Sequence, residues 1–152
     1  MSREVERIGV QLDRALRGKA WHGPSMTELL SDVDETKAGW RPIPGVHTIG
    51  ELVMHVIAWQ EEASRRLGGE ARDLPAEEDW PQPLPWLEML DRLNQSHRAL
   101  LSRVLELDDL DLEKGIKGQP GSVYDLLHGI VQHNLYHAGQ IALLKKGLAW
   151  GG

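Results

Sequence analysis

Apolar residues recur at every third or fourth position over four long stretches of the chain, and polar residues fill the positions between them. This spacing is typical of helices that bury one face, because an α-helix turns about once every 3.6 residues. The stretches cover residues 2–17, 48–67, 85–104 and 122–146. No stretch shows the strict alternation of a half-buried strand, and no segment repeats. The pattern therefore predicts an all-α protein with four long amphipathic helices.

The ends of these helices carry signals of their own. Capping boxes, in which a hydroxyl residue is followed three positions later by an acid, begin at Ser25, Thr48 and Ser122. The first box predicts a short extra helix, from Ser25 to about residue 33, between the first and second long helices. Proline and glycine in the remaining segments predict three connections: a loop over 34–44, a linker over 70–83 and a last connection over 108–120.

Three histidines lie on apolar helix faces. His133 and His137 are four residues apart in the fourth long helix, so one ring lies above the other on the same face. His55 lies between Leu52 and Trp59 on the inward face of the second. Imidazoles at this spacing can bind one metal ion, whereas a buried ring without a partner is costly. The pattern predicts a three-histidine metal site, with three hydrogen-bonded core histidines as the alternative.

A shared metal ion would fix the direction of two helices. His55 lies about 10 Å from the start of its helix at Thr48, at about 1.5 Å per residue. His133 and His137 lie about 16 and 22 Å from the start of the last helix at Ser122. The second and fourth helices should therefore be antiparallel. The linker over 70–83 would then cross the bundle and leave the second and third helices parallel.

The segments that carry these histidines, residues 46–59 and 129–141, together with residues 20–26, resemble the DinB-like (DinB/YfiT) superfamily. The resemblance covers nearly the whole chain. It implies a four-helix bundle with a long crossover and non-sequential topology. It also implies that the three histidines hold a divalent transition metal, with zinc or nickel preferred and manganese or iron as alternatives.

The resemblance implies an activity as well. The family includes hydrolases and transferases that depend on a low-molecular-weight thiol and act on small molecules. In either case the metal binds and activates water or the thiol sulfur. The family tends to form homodimers, so a second copy of the chain is the expected protein partner. The alternative is a non-catalytic metal-binding bundle with a structural or protein-interaction role.

Other metal chemistries of helical proteins do not fit the sequence. Di-iron bundles need paired Glu-x-x-His motifs, and zinc proteases carry Glu directly after the first histidine, where Asn134 stands here. Three imidazoles would leave a zinc-like ion an open position. Glu51 and Glu62 are the candidates for a catalytic base. The alternative for Glu51 is the capping box with Thr48, and for Glu62 a solvated surface position.

Polar residues beside the histidine pair have two interpretations. Tyr136 and Gln140 could orient a ligand, and Gln140 could instead hydrogen-bond to a neighbouring helix. The remaining histidines are expected on the surface, at caps or in hydrogen bonds between helices, and His128 is the reserve ligand among them. They are His22, His47, His97 and His128.

Composition narrows the class of protein. A length of 152 residues predicts one domain over 1–152, and the absence of cysteine excludes disulfides and a thiolate nucleophile. The net charge of −6, with no basic cluster, argues against nucleic-acid or membrane partners. No signal peptide or membrane-spanning stretch is evident, so we expect a cytoplasmic protein. Large aromatic volume must come from tryptophans, at positions Trp21, Trp40, Trp59, Trp80, Trp86 and Trp150.

Overall fold

A computed structural model of the chain describes residues 3–70 and 72–148. Every regular element of secondary structure in these ranges is a helix, as predicted. A single 3₁₀ turn covers Asp111–Glu113. The α-helices, in chain order, are α1 (Glu4–Leu16), α2 (Met26–Leu30), α3 (Glu35–Gly39), α4 (Ile49–Leu67), α5 (Ala76–Asp79), α6 (Trp86–Glu106) and α7 (Val123–Leu148). Ser2, the predicted start of the first helix, and Trp150 lie outside the described residues.

The four long helices pack around one another. α4 packs against α6 and α7, and α1 packs against the same two helices. The buried apolar residues form two clusters at different heights. One contains Leu52, Met89 and Ile141, and the other contains Ile8 and Leu127.

A layer of buried polar side chains separates these two clusters. Gln60, Ser96, His97 and Asn134 are all buried, and each lies in sequence between the residues that its helix contributes to the two clusters. The Ser96 hydroxyl donates a hydrogen bond of 2.8 Å to Gln60 Oε1 and so links α6 to α4. The core of the bundle is therefore divided by a polar layer at mid-height.

The predicted capping boxes are confirmed. The Glu51 amide donates to Thr48 Oγ1 at 3.2 Å, and the Thr48 amide donates back to the Glu51 carboxylate at 2.7 Å. These bonds satisfy two backbone donors that the first turn of α4 cannot satisfy itself. The same reciprocal arrangement joins Ser25 to Glu28 and Ser122 to Asp125.

Two short helices occupy segments that the sequence predicts as connections. The prediction of a loop over 34–44 is wrong for the residues of α3. Asp34 caps the first turn of this helix by accepting a hydrogen bond from the Lys37 amide at 2.8 Å. The linker predicted over 70–83 contains α5. A helix of four or five residues is too short to show a 3.6-residue period, so periodicity could not detect either one. The extra helix that begins after Ser25 ends at Leu30, three residues earlier than predicted.

None of the helices in the described part of the chain combines the length and the apolar character that crossing a bilayer requires.

Candidate metal centre

The three histidines singled out by the sequence converge at one point between α4 and α7. Nε2 of His133 lies 3.0 Å from Nε2 of His55 and 3.1 Å from Nε2 of His137. One ring nitrogen from each residue falls within 4.8 Å of the others. His55 and His137 are 6% and 5% exposed. The i, i+4 spacing on α7 and the inward face of α4 therefore bring all three rings together.

The outer nitrogens of two rings fix their tautomers. Nδ1 of His55 lies 2.7 Å from the backbone carbonyl oxygen of Asp79, and Nδ1 of His137 lies 2.6 Å from Oε1 of Gln140. Because both oxygens are acceptors, each Nδ1 must carry the hydrogen. The Nε2 atom of each ring then presents a lone pair toward the cluster. Histidines that bind metals in proteins are held by outer hydrogen bonds of this kind.

The cluster fits a divalent transition metal. A neutral His133 can donate its Nε2 hydrogen to only one of the two facing lone pairs, so at least one lone pair is left without a hydrogen. Three nitrogens bound to a tetrahedral zinc ion at 2.0–2.1 Å lie roughly 3.3 Å apart, close to the spacing found here. A cation at the centre would satisfy all three lone pairs together, which no arrangement of the hydrogens can do.

Burial keeps the three rings in the form that binds a metal. It lowers the pKa of His55 and His137 below the usual value of 6.5. Burial and the two neighbouring rings together lower the pKa of His133 to about 3. The rings are therefore neutral at physiological pH, as metal coordination by imidazole requires.

The short helix α5 and the residue after it enclose the cluster. The Trp80 ring stacks on His55 with centroids 3.9 Å apart, and His47 stacks on Trp80 at 3.6 Å. The Trp59 indole N–H donates to the Asp79 carboxylate at 2.7 Å. That carboxylate also lies 3.2 Å from His55 Nδ1. These aromatic and acidic groups hold His55 in place and restrict the access of water.

Asp79 and Trp80 are the residues near the cluster that sequence reasoning missed. Both belong to a segment assigned as a linker, and no periodic pattern connects them to His55. The run of acids Glu77–Asp79 after Pro75 is the one local signal, because acids favour the first turn of a helix. That signal predicts a short helix and says nothing about what the helix contacts.

Glu51, one of the two candidate bases, is held by groups other than the histidine cluster. Its carboxylate accepts from the Thr48 amide, lies 2.7 Å from Arg41 Nη2 and lies 3.3 Å from His47 Nδ1. Burial alone would raise the pKa of Glu51, but the bonds from Thr48 and Arg41 outweigh it and lower that pKa. The structure therefore shows Glu51 as the second residue of the capping box.

Glu62, the other candidate, is not the solvated residue that was expected. Its side chain is 0% exposed, so the predicted surface position is wrong. Three guanidinium groups surround the carboxylate, from Arg65 at 3.0 Å, Arg66 at 3.0 Å and Arg72 at 3.1 Å. Hydrogen bonds from these arginines outweigh the opposing effect of burial and lower the pKa of Glu62. Helix periodicity could not reveal the burial of Glu62, because Arg72 lies in the linker after α4 and not on a helix.

The remaining polar candidates differ in their surroundings. Gln140 bonds to His137 on its own helix, so its predicted bond to a neighbouring helix is wrong. Tyr136 is largely exposed, with its ring centroid 5.0 Å from that of His137. His97 is buried and bonds to Asp13 on α1, as expected for a link between helices. Of the others, His22 is exposed and His128 packs against Tyr124.

The metal-free protein is expected to lose stability as the pH falls below about 6.5. Burial lowers the folded-state pKa of His55, His97, His133 and His137 from 6.5, so protons bind first to the unfolded chain. Above this pH the four histidines are neutral in both the folded and the unfolded chain. As the pH falls toward each folded-state pKa, proton binding stabilises the unfolded chain relative to the folded one. Urea unfolding between about pH 7.5 and 4.5 measures the effect. The exposed-residue variant His22→Ala should show the same dependence, and a constant midpoint would contradict the prediction.

Comparison with known sequences places these residues in a family. The sequence model of the DinB superfamily matches residues 20–141, a range that contains the three histidines together with Asp79, Trp80 and Gln140. The resemblance inferred from the histidine segments is thereby confirmed. Curated proteins and solved structures give no significant match.

Proposed function

The chain belongs to the DinB superfamily, and from this premise we propose that it is a divalent-metal-dependent enzyme acting on a small molecule. His55, His133 and His137 would hold the ion. The observation that carries the proposal is the convergence of the three rings, in which Nε2 of His133 lies 3.0 and 3.1 Å from the Nε2 atoms of the other two. The Nδ1 hydrogens of His55 and His137 are already donated elsewhere. Hydrogen-bonded core histidines would not need to present lone pairs to one another.

The donor set indicates what chemistry the site offers. Three neutral nitrogens suit zinc or nickel, and also accommodate manganese or iron. When bound, such an ion supplies Lewis acidity, which polarises carbonyl groups and lowers the pKa of water or a thiol. The chain has no cysteine, so a thiol nucleophile would be a low-molecular-weight thiol. We therefore propose hydrolysis or thiol transfer as the reaction class.

The residues around the cluster would have separate tasks in this reaction. The Asp79 carbonyl and Gln140 orient the rings of His55 and His137 through their Nδ1 hydrogens. Trp80 covers one ring face of His55 and limits the entry of water there. Neither Glu51 nor Glu62 is assigned the role of a base, because the carboxylate of each is bound by arginine.

We also infer the crossover topology that the family resemblance implies. Contacts between α4 and α6 advance together along both helices, from Gly50 near Met89 to Gln60 bonded to Ser96, which supports a parallel pair. Between α4 and α7 the order is reversed. His55 contacts both His133 and His137. Trp59, one turn later on α4, packs on His133, the earlier of the two, with ring centroids 5.7 Å apart. The linker over 70–83 would then cross the bundle.

Further features of the proposal rest on the family resemblance and the composition. We propose a single domain over 1–152 that forms homodimers, acts in the cytoplasm and binds neither nucleic acid nor membranes.

We expect protein purified without an affinity tag to bind about one divalent ion per chain. The test is to remove metal with a chelator, reload separately with zinc, nickel, manganese and iron, and measure metal content by mass spectrometry. Each loaded form is then assayed with thiol-plus-electrophile pairs and with amides and esters. Metal-dependent turnover that is absent from His137→Ala supports the enzyme. Binding without turnover favours the structural alternative, and no binding of any metal contradicts the proposal.

A further inference from the structure

A small apolar cleft opens beside one histidine of the cluster. It has a volume of about 230 Å³ and is lined by Trp59, Leu126, Gly129, Ile130 and His133. The side chains of Leu126 and Ile130 are hydrocarbon, and Gly129 has none. The Trp59 indole N–H is already donated to the carboxylate of an acid on α5. Among the lining side chains, only the His133 imidazole has a polar atom, Nδ1, without a hydrogen-bond partner in the described part of the chain.

A cation beside the cleft is already paired with an acid. The Arg66 guanidinium lies 5.5 Å from the centre of the Trp59 ring, close enough for a cation–π contact. Its Nε donates to the buried carboxylate of Glu62 at 3.0 Å. Because this cation has its counterion, the cleft does not offer an unpaired charge to an anionic ligand. The chemistry of the walls suits a neutral apolar group.

Gly129 is a residue that the fold itself does not require. It lies inside α7, where glycine is less favourable than alanine. Its φ angle is not among the positive ones, so backbone geometry does not demand glycine. A Cβ atom added there would meet nothing within 4 Å, so packing does not demand it either. The missing side chain keeps open the cleft one turn away from His133.

We propose that this cleft binds the neutral apolar part of the small molecule that the histidine cluster acts on. The inference rests on the proposed function, because it requires a metal ion held at His133, beside the cleft. The occupant would be a short alkyl chain or a single ring. Apolar cavities of about 150 Å³ are known to hold benzene, so a cleft of about 230 Å³ has room for such a group.

The test uses two probes that share a metal-binding head and differ in the apolar tail. Acetohydroxamate and hexanohydroxamate are titrated by calorimetry into the zinc-loaded protein. Each methylene that enters an apolar site should tighten binding about fourfold. The longer probe should therefore bind far more tightly than the shorter one. Gly129→Leu, which fills the cleft, should remove this difference and leave the affinity for acetohydroxamate unchanged.

A matched pair of alanine variants separates helix stability from ligand binding. Gly129→Ala and Gly139→Ala lie on the same helix, and neither added Cβ meets an atom within 4 Å. Gly139 borders a different surface groove. Both variants should raise the melting temperature, by about 2–4 °C. Only Gly129→Ala should weaken hexanohydroxamate binding. Because both variants are expected to be more stable than the unchanged protein, misfolding would not explain such a loss of affinity.

The outcomes are distinguishable. Equal affinities of the unchanged protein for the two probes, or equal losses in both alanine variants, would overturn the inference and leave the metal site intact. If neither probe binds to the zinc-loaded protein, both the proposed function and this inference fail. A chain-length dependence that disappears in Gly129→Leu supports the inference.

Discussion

Each of the variants His55→Ala, His133→Ala and His137→Ala is expected to lose the rise in melting temperature that a divalent metal confers, while remaining folded. A ligand that binds only the native state stabilises it by about 4 kcal/mol when present at about 1,000 times its dissociation constant. For a chain of this size that corresponds to roughly 8–16 °C. Two imidazoles retain too little affinity to preserve this gain. Thermal melts with and without metal measure it directly.

The metal-free forms of these variants should differ little from the unchanged protein. Truncating a buried ring leaves a cavity, which costs stability. It also relieves the crowding of lone pairs at the centre of the cluster, and in His133→Ala it removes a buried Nδ1 that has no hydrogen-bond partner in the described part of the chain. The controls are His22→Ala and His128→Ala, which should keep the full metal-dependent rise. Full retention of that rise by His55→Ala would refute the ligand assignment.

Glu62→Ala is expected to destabilise the metal-free protein by about 3–5 kcal/mol, because it removes the shared counterion of three arginines. Arg65, Arg66 and Arg72 all bond to this one carboxylate, which is fully buried. Urea unfolding measures the loss. Glu61→Ala is the matched control, since its exposed pair with arginine on α6 should contribute at most about 1 kcal/mol. Equal losses in the two variants would show that burial of the carboxylate has no special role.

The same variant should also weaken metal binding. Arg72 bonds to both Glu62 and Glu78, and so ties α5 to α4. Asp79 is the next residue, and its carbonyl orients His55. Loss of an outer partner of a metal-binding histidine typically lowers affinity about 10–100-fold. Competition with a coloured chelator measures this, and an unchanged affinity in folded Glu62→Ala would show that α5 is held by other contacts.

Sequence periodicity was sufficient to predict the elements that carry the cluster. Helix positions repeat every 3.6 residues, so the inward faces of α4 and α7 follow from local pattern. The pattern leaves the meeting of His55 with the α7 pair as one of two alternatives, and the family resemblance favours it. The bond between His137 and Gln140 was also within reach, because residues three apart on a helix are neighbours.

What could not be predicted depends on where a connection runs in space. Trp80 and Arg72 approach α4 from a linker rich in proline and charge, where no repeating pattern marks a contact face. The burial of Glu62 depends on that path, since one of its three partners comes from the linker. A local pattern can place a side chain on one face of a helix, but not identify the non-helical residue that covers it.

The polar layer across the middle of the bundle has a consequence for misfolding. If α6 slid past α4 by one turn, or about 5.4 Å, the Ser96 hydroxyl would leave Gln60 Oε1 and move among aliphatic side chains. Such a displaced arrangement would leave the buried Gln60 oxygen without its donor, which is costly. Two uniform apolar cores would tolerate that sliding far better. The layer thus makes one vertical alignment of α4 and α6 lower in free energy than its neighbours.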